Sequence, residues 1–479
     1  MNYFKFLFAE YEWELVQQRS HRSIRSVYRL LKDSVPELYI KIYNPWDPLQ
    51  KIRNLIYPRT LYEARMLNRL SAAGIPVPGV KEHLRKGFAS ALVTHAIYPS
   101  KTLFDFTHDK QAMILLAMAV LLLKKGFYYD DMHSGNVIVD NKGKPYLLDA
   151  YEVKPIKRLR RDHIIDLLAQ IEFLSCVPDE KLIEYLNRLN AVKDTHRLAD
   201  AIRARSKKLN RSRIKRWIRR SLRHGSFSEE LDIYYYKAFI NRQYSVDLDK
   251  ITDIHTDNIQ NNTNVLKVQK KTQLSRVDNF CVKSFKASRM FARPYALRSW
   301  QGLLTLHFNK IGTAGPVAVI LYKDRSSILI TKMLNHPDLD ELLYHKYSSM
   351  PLKEKRDLLN TLGNILATMH VNGIYHADLK VCNIKVSQDP LAFYFLDTDR
   401  VEQKINLSTR RRIKNMVQIN TSIPVHVSRT MRFSFIKAYS KITGDDPGRL
   451  FKDVWELSRR EKVVYRTLDG DHIERWPDR

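Results

Sequence analysis

Residues 373–400 read GIYHADLKVCNIKVSQDPLAFYFLDTDR, with Asp378 two positions after His376, Asn383 five after Asp378, and Asp397 behind the apolar run Phe393, Tyr394, Phe395, Leu396. These residue types at this spacing suit phosphoryl transfer. One carboxylate stands beside the attacking hydroxyl, while an amide oxygen and a second carboxylate offer hard ligands to magnesium on nucleotide phosphates. Residues 126–152, GFYYDDMHSGNVIVDNKGKPYLLDAYE, carry the same set as Asp131, Asn136 and Asp149. The later set follows the earlier by 247, 247 and 248 positions, a regularity that a duplication explains.

Such chemistry also asks for a cation on the phosphates. Lys41 lies in the β-rich run LYIKIY, 90 residues before Asp131, and Lys283 lies in FCVKSF, 95 residues before Asp378. Residues 60–70, TLYEARMLNRL, have helical spacing of Leu61, Ala64, Leu67 and Leu70 and carry Glu63, the carboxylate expected to hold Lys41 in place. The second copy lacks it: no Glu occurs between Lys283 and Ile311, and Leu297, Arg298, Ser299 and Trp300 stand where Glu63 stood. Neither lysine is preceded by a G-x-G-x-x-G phosphate cover.

The elements that must position these groups follow from the surrounding pattern. A chain of 479 residues with a 44% hydrophobic share suits two packed domains, here expected at 1–212 and 246–479 with a basic connector at 213–245. The apolar run from Ala112 to Leu123 is too short to cross a bilayer and reads as a buried helix feeding the first loop. Leu358, Leu359, Leu362, Ile365, Leu366 and Met369 give 353–370 an inward helical face that feeds the second. Residues 265–285 read as three short strands. Residues 253–264, rich in Asn and Asp, read as a loop, and Asp399 as an exposed turn residue or a second acidic contact.

The formal charge of +30 and a pI near 9.8 point to an anionic partner. Lys154, Lys157, Arg158, Arg160 and Arg161 follow Asp149, and Arg410, Arg411, Arg412 and Lys414 follow Asp397, so one basic cluster recurs in both halves. Residues 203–223 add a basic helical segment without an acid, suited to an acidic surface or to closing one domain. No base-reading motif accompanies the charge, so nucleic acid fits poorly. Cys176, Cys281 and Cys382 lie too far apart to suggest a disulfide framework or a zinc site, which fits a reducing cytoplasm. The first residues lack the apolar core and cleavage site of a signal peptide.

With these residues in view, the chain resembles the bacterial lipopolysaccharide kinases of the Kdo/WaaP type, which share the protein-kinase-like fold. GIYHADLKVCNI, FYFLDTDRV, RRRIKNMVQIN and VSRTMRFSFIKAYSK carry the likeness, and the first copy is similar but more diverged, with Tyr129 in the place of the loop His. The resemblance implies an α+β fold of two tandem protein-kinase-like bilobal domains, each a small antiparallel-sheet lobe over a helical lobe, with ATP and Mg2+ in the cleft. It implies that Asp378 or Asp131 takes the proton of a sugar hydroxyl, with His376 in the same catalytic loop. By the same likeness Asn383 with Asp397, or Asn136 with Asp149, would hold the metal, and Lys283 or Lys41, the latter set by Glu63, would bind the nucleotide. The expected acceptor is a heptose or Kdo of the lipopolysaccharide core or another anionic glycolipid, reached from the cytoplasm at the anionic inner face of the inner membrane. A protein Ser/Thr kinase of the same fold, or a pseudokinase scaffold for anionic partners, are the alternatives.

Overall fold

A computed structural model describes residues 2–20, 23–172, 174–189, 194–290 and 292–476. The chain divides into two units, 1–209 and 210–479, each with its own sheet and its own helical core. Both units mix antiparallel sheet with helix.

In the first unit five strands form an antiparallel sheet in the order Glu12–Ser20, Ser23–Lys32, Val35–Pro45, Ala89–His95, Val80–Lys86. Alternation along Val35–Pro45 buries Leu38, Ile40 and Ile42 against Phe4, Phe8, Tyr28 and Leu30 on one face. Lys41 falls on the opposite face, in register with Leu92, which packs into the same core as Ala64 and Leu67 of the helix Arg59–Ala72. The apolar segment expected to be a buried helix is one, His108–Lys124, with Ala112, Leu115, Leu116, Ala119 and Leu122 fully enclosed. It ends at Lys125 and Gly126 and hands the chain to the short strand Phe127–Tyr129, two residues before Asp131.

The second unit carries a seven-stranded antiparallel sheet in the order Ser228–Asp232, Tyr236–Asn241, Pro316–Tyr322, Ser327–Lys332, Phe280–Phe285, Thr272–Val277, Val265–Val268. The three strands expected between 265 and 285 are present. The basic connector expected at 213–245 is not a connector: Ser228–Asp232 and Tyr236–Asn241 are strands of this sheet, and Ile218, Leu222 and Phe227 pack on the core around Trp300. The charge of 203–223 hid that packing, because its apolar residues are few and its arginines many.

The loop expected at 253–264 is also corrected. Leu248–Asn261 is a helix, capped by Asp247, whose carboxylate accepts from Lys250 N, and closed by Asn262 in the left-handed region at φ +52°. Its polar composition misleads because only Leu248, Ile251, His255 and Asn258 are buried, and two of those are polar with partners. His255 is bonded to Ser275 Oγ at 2.6 Å and Ser284 Oγ at 2.9 Å. Helices Leu352–Val371, Thr409–Asn420, Arg429–Thr443 and Pro447–Ser458 build the helical core under the sheet.

Candidate active sites

In the first unit Lys41 Nζ donates to Glu63 Oε1 at 2.5 Å and to Leu148 O at 3.1 Å. Glu63 is only 5% exposed. Burial alone would lower the Lys41 pKa, but the charges of Glu63 and Asp149 outweigh it, so the ammonium is held above its ordinary value. The strand lysine, the helix carboxylate and the residue before Asp149 thus meet in one place from positions over a hundred residues apart. Leu148 N in turn donates to Asn136 O at 2.9 Å, and Asn136 Nδ2 donates to Asp131 O at 3.0 Å and to Tyr129 Oη at 2.6 Å. Asp149 Oδ1 accepts from Tyr151 N at 3.0 Å. The Asp131 carboxylate is mostly exposed, with His133 Nε2 at 3.5 Å.

The second unit repeats this backbone pattern. Leu396 N donates to Asn383 O at 2.8 Å, and Asn383 Nδ2 donates to Asp378 O at 3.0 Å and more weakly to Asp378 Oδ2 at 3.4 Å. The lysine behaves differently. With no carboxylate on the helix Tyr295–Phe308, Lys283 Nζ donates to Asp397 Oδ1 at 2.8 Å. Burial pushes the Asp397 carboxyl up, yet the Lys283 charge and hydrogen bond prevail and leave it below the usual carboxylate range. Leu396 N on Asn383 O ties the Asn383 loop to the residue before Asp397, and Lys283 stands on the Asp397 carboxylate. A cation beside a carboxylate and a nearby amide is a donor set of the kind that suits magnesium and polyphosphate.

His376, expected among the catalytic residues, is fully buried and does not reach the cleft. Its Nδ1 accepts from Asp378 N at 3.3 Å, so its Nε2–H donates to Leu396 O at 2.8 Å, and burial keeps the ring neutral by lowering its pKa. It is a positioning residue that ties the Asp378 loop to the Asp397 strand. In the first unit Tyr129 occupies the equivalent position, fully buried, and ties to Asn136 instead. Asp399, expected to be an exposed turn residue, is half-buried, and burial together with Asp397 raises its pKa.

Several positioning groups escaped the sequence reading. Asn415 Nδ2 donates to His376 O at 2.6 Å, Gln418 Nε2 to Ala377 O at 2.8 Å, and Ser422 Oγ accepts from Val381 N at 3.0 Å, so one helix and its exit clamp the loop backbone from below. The three-residue spacing of Asn415 and Gln418 on an otherwise basic helix is the signal that was there to find. Gly302 is the other: a Cβ built on it would lie 1.9 Å from Thr398 O, and Thr398 Oγ1 donates to Ser299 O at 2.8 Å. The helix Tyr295–Phe308 therefore touches the Asp397 turn directly.

Among the described residues no cluster of three or more His, Cys, Asp or Glu is arranged for a metal, and no helix is long and apolar enough to cross a membrane. Among the described residues Cys176, Cys281 and Cys382 form no disulfide.

Residues 253–439 match the family model of the lipopolysaccharide kinase (Kdo/WaaP) family, less than half of the chain but the part that holds Lys283, Asp378, Asn383 and Asp397. The match supports a kinase-type phosphotransferase reading for this part of the chain. No curated protein matches the chain. Among solved structures, a crystal structure of WbdD is similar at 18% identity over 41% of this chain, with a TM-score of 0.28, and this chain spans 45% of that protein. Another WbdD structure, described as a bifunctional kinase-methyltransferase, is similar at 16% identity over 39% of this chain and 43% of its own, with a TM-score of 0.27. An aminoglycoside-3'-phosphotransferase of type VIII is similar at 19% identity over 42% of this chain and 97% of its own, with a TM-score of 0.29.

Proposed function

We propose that the chain is an ATP- and magnesium-dependent kinase of a sugar hydroxyl on lipopolysaccharide core, a heptose or Kdo, built from two tandem kinase-like domains. The observation that carries the reading is the convergence of Lys283 and Asp397 at 2.8 Å beside the Asn383–Asp378 clamp, inside the segment that matches the family. Bound magnesium-ATP supplies the phosphoryl group and the charge neutralisation on its phosphates. Asp378 takes the acceptor hydroxyl's proton, Lys283 binds phosphate oxygens, and Asn383 and Asp397 are the metal-facing donors. In the first unit Asp131, Lys41, Asn136 and Asp149 take the same parts, with Glu63 holding Lys41. Phosphoryl transfer asks mainly for positioning and charge stabilisation, and each set offers both.

The tandem reading is supported by the matching bonds in the two units: the Asn amide to the Asp carbonyl at 3.0 Å in each, and the strand amide to the Asn carbonyl at 2.9 and 2.8 Å. The net charge of +30 supports an anionic glycolipid acceptor and work at an anionic membrane surface from the cytoplasmic side, each basic residue near such a surface adding about 1 kcal/mol.

The test is transfer of labelled phosphate from magnesium-ATP to a core-sugar acceptor, with Asp378→Ala, Asp131→Ala and the double variant compared. Loss in one single variant identifies the working domain, and unchanged turnover in the double variant ends the proposal. One observation favours a second reading: Lys283 pairs with Asp397 rather than with a helix carboxylate, which suits a nucleotide-independent scaffold in that unit. Calorimetry with magnesium-ATP on Lys41→Ala/Asp149→Ala protein, in which the first unit has lost its proposed phosphate and metal contacts, separates the two, because a scaffold in the second unit takes up no nucleotide.

A further inference from the structure

A surface helix normally turns its apolar stripe to the core and its polar face to water. Pro48–Ile56 in the first unit is reversed. Its uncharged polar side chains, Gln50 and Asn54, face the sheet. Asn54 is 3% exposed and donates to Phe88 O at 2.7 Å and Ser90 Oγ at 3.2 Å, while its Oδ1 accepts from Arg59 N at 3.2 Å. Gln50 Oε1 accepts from Tyr43 Oη at 3.2 Å. Its apolar side chains face solvent: Leu49 is 73% exposed, Ile52 55%, Leu55 46% and Ile56 77%. At 100° per residue these four share one side of the helix, opposite Gln50 and Asn54. Trp46 and Tyr57, at its two ends, are also exposed, as is Phe88 beside it.

The charges on this segment have one sign. Residues 46–59 carry Lys51, Arg53 and Arg59 against a single acid, Asp47, whose carboxylate is spent on the helix cap, accepting from Gln50 N at 3.1 Å. Arg85 reaches in from the neighbouring strand to Leu55 O at 2.7 Å. A row of aliphatic side chains with a Trp and a Tyr at its ends and basic residues along its flanks is the composition that lies in the headgroup region of an anionic bilayer. Two arginines of the basic run at 203–223 are already spent within the unit: Arg203 is held by Asp179 and the carbonyls of Leu174 and Val177, and Arg205 Nε by Asp166 at 2.9 Å.

We infer that Pro48–Ile56 docks the first unit on an anionic lipid bilayer, its aliphatic face entering the headgroup layer and Lys51 and Arg53 meeting lipid phosphates. The inference rests on the proposed function only for the reason a membrane is wanted, since a glycolipid acceptor resides in one. It is read without nucleotide or acceptor. Full-length protein is sedimented with phosphatidylglycerol-containing vesicles and with pure phosphatidylcholine vesicles, comparing wild type with Leu49→Glu/Ile52→Glu. Wild type binds the anionic vesicles and releases as salt rises. The variant loses about tenfold or more in partition coefficient, because two inserted aliphatic side chains become carboxylates, and it keeps its unfolding midpoint because both sites are exposed. Equal partitioning of the two proteins overturns the inference, as does failure of wild type to bind either vesicle. So does a wild-type dimer in sedimentation velocity that the variant dissociates, which would seat a second copy of this chain on the helix. Phosphate transfer to a water-soluble acceptor is measured in parallel: if it survives a failed vesicle assay, only the docking inference falls.

Discussion

Lys283 and Asp397 are joined at 2.8 Å in the second unit, whereas the equivalent lysine of the first unit, Lys41, is joined to Glu63 at 2.5 Å. The two lysines sit on equivalent strands and differ in what holds them. Where the helix offers a buried carboxylate, the lysine is fixed before any ligand arrives. Where the helix offers Leu297, Arg298, Ser299 and Trp300, the lysine takes the metal-facing Asp itself. If the second unit takes magnesium-ATP as proposed, entry would exchange a protein ion pair for contacts to phosphate and metal.

That exchange makes nucleotide binding in the second unit sensitive to the partner. Asp397→Asn leaves Lys283 without its charged partner, removes a charged metal ligand, and is expected to abolish magnesium-dependent ATP binding there. Glu63→Gln is expected to leave that binding unchanged and to lower affinity in the first unit alone. Calorimetry on the two variants, each combined with an inactivated other site, checks both halves of the expectation.

Asp378→Asn keeps the shape of the loop and removes the proton acceptor. A positioned base contributes about 10²–10⁴-fold, so phosphate transfer by the second unit is expected to fall by about that factor with little change in ATP affinity. Steady-state rates at saturating ATP measure it. Asp131→Asn is the matching experiment for the first unit.

Gly302 admits no side chain, because a Cβ there meets the backbone carbonyl of Thr398 at 1.9 Å. Gly302→Ala is expected to push the helix Tyr295–Phe308 off the Asp397 turn, destabilising the unit by about 1–3 kcal/mol. Nucleotide affinity in the second unit is expected to weaken with it. Denaturant unfolding gives the first quantity and calorimetry the second. Gly363, where an added Cβ would meet Phe435 O at 2.4 Å, is the control: its substitution is expected to lower stability without touching the proposed nucleotide site directly.

His370 is buried between Tyr439 Oη at 2.9 Å and Asn415 Oδ1 at 3.2 Å, and burial lowers its pKa from 6.5 to about 4. Between those values the unfolded chain binds a proton that the folded one does not, so stability contributed by neutral His370 is present above the unfolded value and is lost as pH falls towards about 4. The unfolding midpoint is expected to drop as pH is lowered from about 7 to about 5. His370→Gln, which cannot take up the proton, should flatten that slope. Midpoints measured across the pH series, wild type against variant, check the sign.

The chemistry-bearing residues were legible because catalytic spacing is local. Asp378 and Asn383 lie in one loop, Asp397 in the turn just beyond the strand Leu391–Phe395, and the same offsets recur around Asp131, so a linear pattern carries them. The strand lysines and the buried helices were legible for a related reason: period and apolar run length express burial of one face. Whether Lys41 would meet Glu63, and what Lys283 would meet instead, was decided only when strand and helix packed, since each pair is far apart in sequence. The helix Leu248–Asn261 was misread because it spends its buried face partly on His255 and Asn258, whose partners come from other strands and leave no trace in its composition. The strands at 228–241 were taken for a connector because membership of a sheet depends on Pro316–Tyr322 alongside, not on the segment itself. Pro48–Ile56 shows the same limit from the other side: its sequence states that it is amphipathic, and only the folded neighbours of Asn54 decide that the polar side turns inward.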